Sequence, residues 1–184
     1  MIHQYIKGKV YVFIDAANLE SSVKSLDWWV DYKKLYNYFK QEGELVEIRH
    51  YCPQLGDDGQ DKFFTVLKHI GIKLITKPLK VITEADKFKG DLRKANFDVE
   101  IALDARELMN KYDTLVLFSG DSDFDYLVRF LRQNSKRVIV VSSRHHISKE
   151  LIASCNKYID IKKLRKYIER ANKQTKSPSF ATGG

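Results

Sequence analysis

Apolar and polar positions change their period repeatedly along the chain. Runs rich in β-branched and aromatic residues at 10–15, 45–51, 73–76, 114–119 and 137–142 read as strands, with a short sixth at 158–161. Between them, apolar residues recur at helical spacing and predict helices over 32–42, 60–70, 98–110, 124–134 and 148–153. Such alternation implies βαβ units and an α/β fold of three layers, a central, mostly parallel β-sheet flanked by helices on both faces. Trp28, Trp29, Leu35, Tyr38 and Phe39 surround the first long predicted helix and are assigned to core packing. Between Thr76 and Asp98 lies KPLKVITEADKFKGDLRKAN, longer than a compact domain needs, and such connections are often functional or disordered.

Composition narrows the class. A chain of 184 residues suits one α/β domain with a real core. No apolar run approaches the roughly 18 residues that a membrane span needs, so no membrane partner is expected. The opening MIHQYIKGKV lacks a long apolar signal core with a small-residue cleavage site, which predicts a cytoplasmic chain. Cys52 and Cys155 have no zinc-knuckle spacing and are read as reduced thiols. The net charge of +8 is concentrated late: Lys162, Lys163, Arg165, Lys166, Arg170, Lys173 and Lys176 face Glu169 alone. The expected organisation is therefore a domain over 1–161 and a basic helix or tail over 162–184, whose SPSFATGG end is expected to be disordered. A basic tail can gather a polyanion by counterion release, or can simply be a solvated helix end.

The acids carry the candidate chemistry. Asp15 ends the apolar run VYVFID, so a strand leaves the core directly at a carboxylate, where open α/β sheets bind ligands. Asp15 and Asn18 are equally suited to capping a helix. TLVLFSGDSDFDYLVRFL passes from a buried strand into a helix through Ser119, Gly120, Asp121, Ser122 and Asp123. Capping by Ser122 or Asp123 explains one acid of this turn, but two are present. Asp121 and Asp123 beside Asp15 would repel one another unless cations bind or their pKa values rise, and Mg²⁺ or Mn²⁺ meets that need with oxygen ligands. A third acidic element, NFDVEIALDARELM, has a core stripe of Phe97, Ile101, Ala105 and Leu108. In it Asp98 and Asp104 lie roughly 120° apart around the helix axis, so they are not expected to bind one ion together, and spacing does not choose between them.

FIDAANL at 13–19, KPLK at 77–80, KANFDVEIALDA at 94–105 and SGDSDF at 119–124 together resemble the NYN domain, a PIN-like nuclease branch, and within it the bacterial LabA-like group. SGDSDF is the most specific of these elements. The resemblance implies a PIN-like, Rossmannoid sheet with the first strand central, and Mg²⁺ or Mn²⁺ held by Asp15, Asp98, Asp121 and Asp123. It implies that Asn18 orients a ligand or the attacking water; Asp104 also matches a family acid, but the helix geometry above assigns it, with Ser119, to support the site from outside the ligand set. Ala16 and Ala95 stand where the family often has Gly, which affects loop shape while every acid is retained.

The function so implied is metal-dependent hydrolysis of RNA phosphodiester bonds, leaving 5′-phosphate and 3′-hydroxyl ends. Lys89, Arg93 and Lys94, before the third motif, and Arg144, His145 and His146, after the fifth strand, are candidates for contact with substrate phosphates. The expected partner is RNA, single-stranded or structured, and a homodimer is compatible with the sequence. A haloacid dehalogenase-like phosphatase also starts with a strand ending in Asp, but it needs a second Asp where Ala17 stands. No G-x-G-x-x-G follows the first strand, against a dinucleotide-binding domain. The remaining alternative is a catalytically silent NYN-fold module that binds RNA or a protein.

Overall fold

The computed structural model describes residues 2–78 and 96–171. Lys89, Arg93, Lys94, the connection around them and the SPSFATGG end lie outside the described residues. Six strands form one sheet: β1 (Lys9–Asp15), β2 (Glu44–Gln54), β3 (Ile72–Pro78), β4 (Thr114–Phe118), β5 (Arg137–Ser142) and β6 (Lys157–Asp160). Their order is β3-β2-β1-β4-β5-β6, and every neighbouring pair is parallel. The chain builds outward from β1 through β2 to β3, then returns to β4 on the other side of β1. That reversal creates the switch point at which open sheets bind ligands.

The helices are α1 (Ala16–Lys24), α2 (Tyr32–Glu42), α3 (Asp58–Ile70), α4 (Asp98–Glu107), α5 (Asp125–Gln133), α6 (Lys149–Ser154) and α7 (Arg165–Ile168). Strand alternation divides the core. Val10, Val12 and Ile14 pack with residues of α1, α2, α3 and α7 on one face, whereas Tyr11 and Phe13 pack with α4, α5 and α6 on the other. Burial on both faces explains why β1 and β4 read as unbroken apolar runs.

Three features depart from the sequence reading. α1 lies outside the predicted helices, although Ala16, Leu19 and Val23 form a buried stripe and Asp15 caps it. Trp29 is 57% exposed, while Trp28, Leu35, Tyr38 and Phe39 are buried. The start of the basic segment is built into the body: Leu164 and Ile168 join the core, and Val30 bridges to Glu169. Residues 162–171 thus pack with the domain. Both cysteines are free and buried. Among the described residues, no helix is long and apolar enough to cross a membrane.

Candidate active site

Parallel pairing of β1 with β4 brings Asp15 and the Ser119–Gly120–Asp121 turn to the same sheet end. Asp15 caps α1, accepting from the Asn18 N–H at 3.3 Å. Its other oxygen, Oδ2, accepts from the Asn18 amide at 2.6 Å and from the Ser119 hydroxyl at 3.4 Å. Asn18 Oδ1 in turn accepts from the Gly120 N–H at 3.2 Å, so one asparagine joins the ends of both strands. Ser119 Oγ accepts from the Asp121 N–H at 3.3 Å, which places Ser119 in support of two acids.

Gly120 is required by close approach. A Cβ there would lie 1.9 Å from the carbonyl oxygen of His146, whose loop crosses over the turn. That loop is pinned by the Ser148 N–H donating to the Gly120 carbonyl at 2.9 Å and by a 2.7 Å contact between Ser143 Oγ and His146 Nδ1. The next turn is capped by Asp121, which accepts from the Asp123 N–H at 3.1 Å, and neither Ser122 nor Asp123 fills that role.

Asp98 enters from α4. Asn96 fixes it twice, donating its amide to Oδ2 at 2.6 Å and accepting from the Asp98 N–H at 2.8 Å. Lys77 anchors this approach from the end of β3: its ammonium binds the Asn96 carbonyl, pairs with Glu100 at 2.6 Å and lies 4.6 Å from the centre of the Phe97 ring. Carboxylate oxygens of Asp98, Asp121 and Asp123 then lie within 4.8 Å of one another. Asp15 stands outside that set of three but lines the same cleft, of about 360 Å³, with Asn18, Asn96, Asp98, Asp121 and His146.

Burial raises the pKa of Asp15 above the usual carboxylate range, against the opposing effect of its hydrogen bonds. For Asp98, burial is again the main cause, and the charges of Asp121, Asp15 and Asp123 push in the same direction. The acids therefore feel one another across the cleft. Three hard oxygen donors, one from α4 and two from the turn after β4, with a fourth carboxylate beside them, fit a divalent cation such as Mg²⁺ or Mn²⁺.

Asp104 is held elsewhere. Its Oδ2 meets Arg49 Nη1 at 2.7 Å and accepts from the Tyr51 hydroxyl at 2.8 Å. Among the described residues it connects to the cleft through packing, since the Tyr51 ring contacts that of Phe97, which lines the cleft. Arg144 and His145 are on the loop after β5, and His146 is the member of that run that lines the cleft. Sequence reasoning gives no role to Asn96 or Lys77. The Asn two positions before Asp98 is a legible turn signal, and KPLK marks the lysine.

The NYN domain model matches residues 9–162. The low amplitude and bright protein LabA of Synechococcus elongatus is 30% identical over 168 residues, covering 90% of this chain and 90% of that protein. A crystal structure of a Vibrio parahaemolyticus protein of unknown function superposes with a TM-score of 0.72 at 28% identity, covering 84% of this chain and 93% of that one.

Proposed function

The chain belongs to the NYN domain family, and on that premise we propose that it is a metal-dependent ribonuclease acting at the cleft between Asp15 and Asp121. The observation that carries this reading is the approach of Asp98, Asp121 and Asp123 oxygens to within 4.8 Å, with α4 bringing the first to the turn that bears the other two. Uncompensated charge of this kind costs stability unless a cation offsets it.

In this reading Asp98, Asp121 and Asp123 hold Mg²⁺ or Mn²⁺. When bound, the ion lowers the pKa of water and offsets charge that develops on the phosphate. Asp15, fixed by Asn18 and Ser119 and raised in pKa by burial, takes the proton of the attacking water. Asn18 keeps that carboxylate aimed into the cleft. Water oxygen bonds to phosphorus as the bond to the 3′ oxygen breaks, and the departing oxygen takes up a proton from solvent, which yields 5′-phosphate and 3′-hydroxyl ends.

The test is incubation of purified protein with labelled single-stranded and hairpin RNAs, in Mn²⁺ and in EDTA. Cleavage should require the metal and be lost in Asp121→Asn. An Asp121→Asn protein that cuts as well as wild type would defeat the proposal, and RNA binding without any cleavage would favour a silent binding module.

A further inference from the structure

The acid cluster borders a second depression. Asp98 and Asp123 also line a groove of about 360 Å³ between α4 and α5. Its walls include Leu103 and Arg106 from α4, and Tyr126 and Phe130 from α5. Tyr126 is 82% exposed and Leu103 62%, so the fold leaves two large apolar groups in water beside the acids. Scattered exposed apolar residues need no explanation, but a lined groove continuous with a candidate active site does. Arg106 enters none of the ion pairs formed among the described residues.

We propose that this groove receives the nucleobase next to the scissile phosphate of single-stranded RNA, with Tyr126 as its stacking platform and Arg106 on the flanking phosphate. The inference rests on the ribonuclease reading. Its ground is the order along α4, which climbs about 1.5 Å per residue from Asp98 past Leu103 to Arg106: acids suited to a phosphate-bound cation come first, then an apolar slot with an aromatic edge, then a guanidinium outside those ion pairs. In a single strand each base branches from the ribose that joins two successive phosphates, so a base seated in the slot has one phosphate towards the acids and the next towards the guanidinium. Bases in a duplex are already stacked on their neighbours, whereas an unpaired base offers its π-face to an aromatic side chain. The groove therefore selects unpaired RNA over helical RNA.

The experiment compares wild type, Tyr126→Ala and Tyr126→Trp by fluorescence anisotropy with Ca²⁺ replacing Mn²⁺, and by cleavage in Mn²⁺. The probes are a short single-stranded RNA, a hairpin, and the single strand with an abasic nucleotide beside the mapped cut. Tyr126→Ala should weaken single-strand binding roughly five- to hundredfold, the range for removing one base stack, and should leave the salt slope unchanged. Tyr126→Trp should restore binding. The abasic RNA should bind wild type as weakly as Tyr126→Ala binds the intact strand, and combining the two changes should add nothing.

A wild type that cleaves while Tyr126→Ala binds and cuts single strands equally well overturns the groove alone. Losses that multiply when the abasic RNA meets Tyr126→Ala also overturn it, because base and ring would then act apart. Wild-type dimers that Tyr126→Glu converts to monomers, with RNA affinity retained, would make this face an interface between copies and overturn the groove as well. A wild type that neither binds nor cleaves RNA removes the ribonuclease reading and this inference together.

Discussion

Arg49 reaches Asp104 with Nη1 2.7 Å from Oδ2, and so holds an acid of the third motif away from the three-acid cluster. The same guanidinium meets Glu47 through Nε at 2.5 Å. Arg49 is buried, and a buried cation demands such partners. Two carboxylates on one arginine form a strut between β2 and α4, the helix that delivers Asp98.

Asp104→Asn should therefore behave as a structural change. Arg49 keeps Glu47, so urea denaturation should show a decrease of about 1–3 kcal/mol, while calorimetric Mn²⁺ affinity changes little. Loss of Mn²⁺ binding as deep as in Asp121→Asn would put Asp104 on the ion instead.

The acid cluster should oppose folding in metal-free protein. Asp98→Asn removes one charge from it and should raise the metal-free melting temperature by roughly 2–4 °C, equivalent to about 1 kcal/mol in a domain of this size. Mn²⁺ should raise the melting temperature of wild type and have a much smaller effect on the variant. Thermal scans in EDTA and Mn²⁺ measure both, and an equal metal shift in the two proteins would contradict the assignment of Asp98.

His50 supplies a pH dependence separate from the acids. It is buried between Tyr32, whose hydroxyl lies 3.0 Å from Nε2, and Phe63, and burial lowers its pKa from 6.5 to about 4. A group depressed in the folded state contributes stability above its unfolded pKa and loses it as pH falls through the folded value. Stability should thus decline between pH 6.5 and about 4, by up to roughly 3 kcal/mol from this residue. His50→Phe should flatten that part of the profile in urea titrations, and an unchanged slope would assign the acid lability to other groups.

The basic segment has two functions to separate. Leu164 and Ile168 are fully buried, so removing everything from Lys162 onward should damage the fold itself. Leu164→Ala alone should cost about 2–5 kcal/mol. Truncation after Ala171 spares these anchors while removing Lys173 and Lys176. It should weaken RNA binding, with the logarithmic salt slope falling by about 0.7 for each phosphate that is no longer neutralised. An unchanged slope would leave that end without a part in RNA binding.

The sheet was legible because its strands are buried on both faces and appear as apolar runs bounded by turns. The α4 stripe was legible too: Phe97, Ile101, Ala105 and Leu108 are all buried. Asp121 could be singled out from its strand position together with the SGDSDF motif, but the meeting of Asp98 with Asp121 and Asp123 depends on a helix crossing the sheet, which no local pattern encodes. The same limit hid the strut, since Arg49 and Asp104 are far apart in sequence. It also hid the distinction between His146 and its neighbours, which follows from the close approach of its backbone to Gly120. α1 escapes the pattern for a different reason. The residues around Asp15 suit a ligand or a cap, and Asp15 serves as the cap while still facing the cleft.

β1 is the first strand made and the third in the sheet, with its second neighbour, β4, supplied more than halfway along the chain. A nascent chain that has emerged only through β3 already holds Asp15, but it has neither the strand that carries the Ser119–Asp121 turn nor the backbone N–H that Asn18 Oδ1 awaits. The cleft thus comes into being late, by closure of a long-range pairing. For a ribonuclease, folding itself would then act as the safety catch on the chemistry. On the reading proposed above, truncated products of interrupted synthesis would carry one wall of the site and no means of cutting RNA.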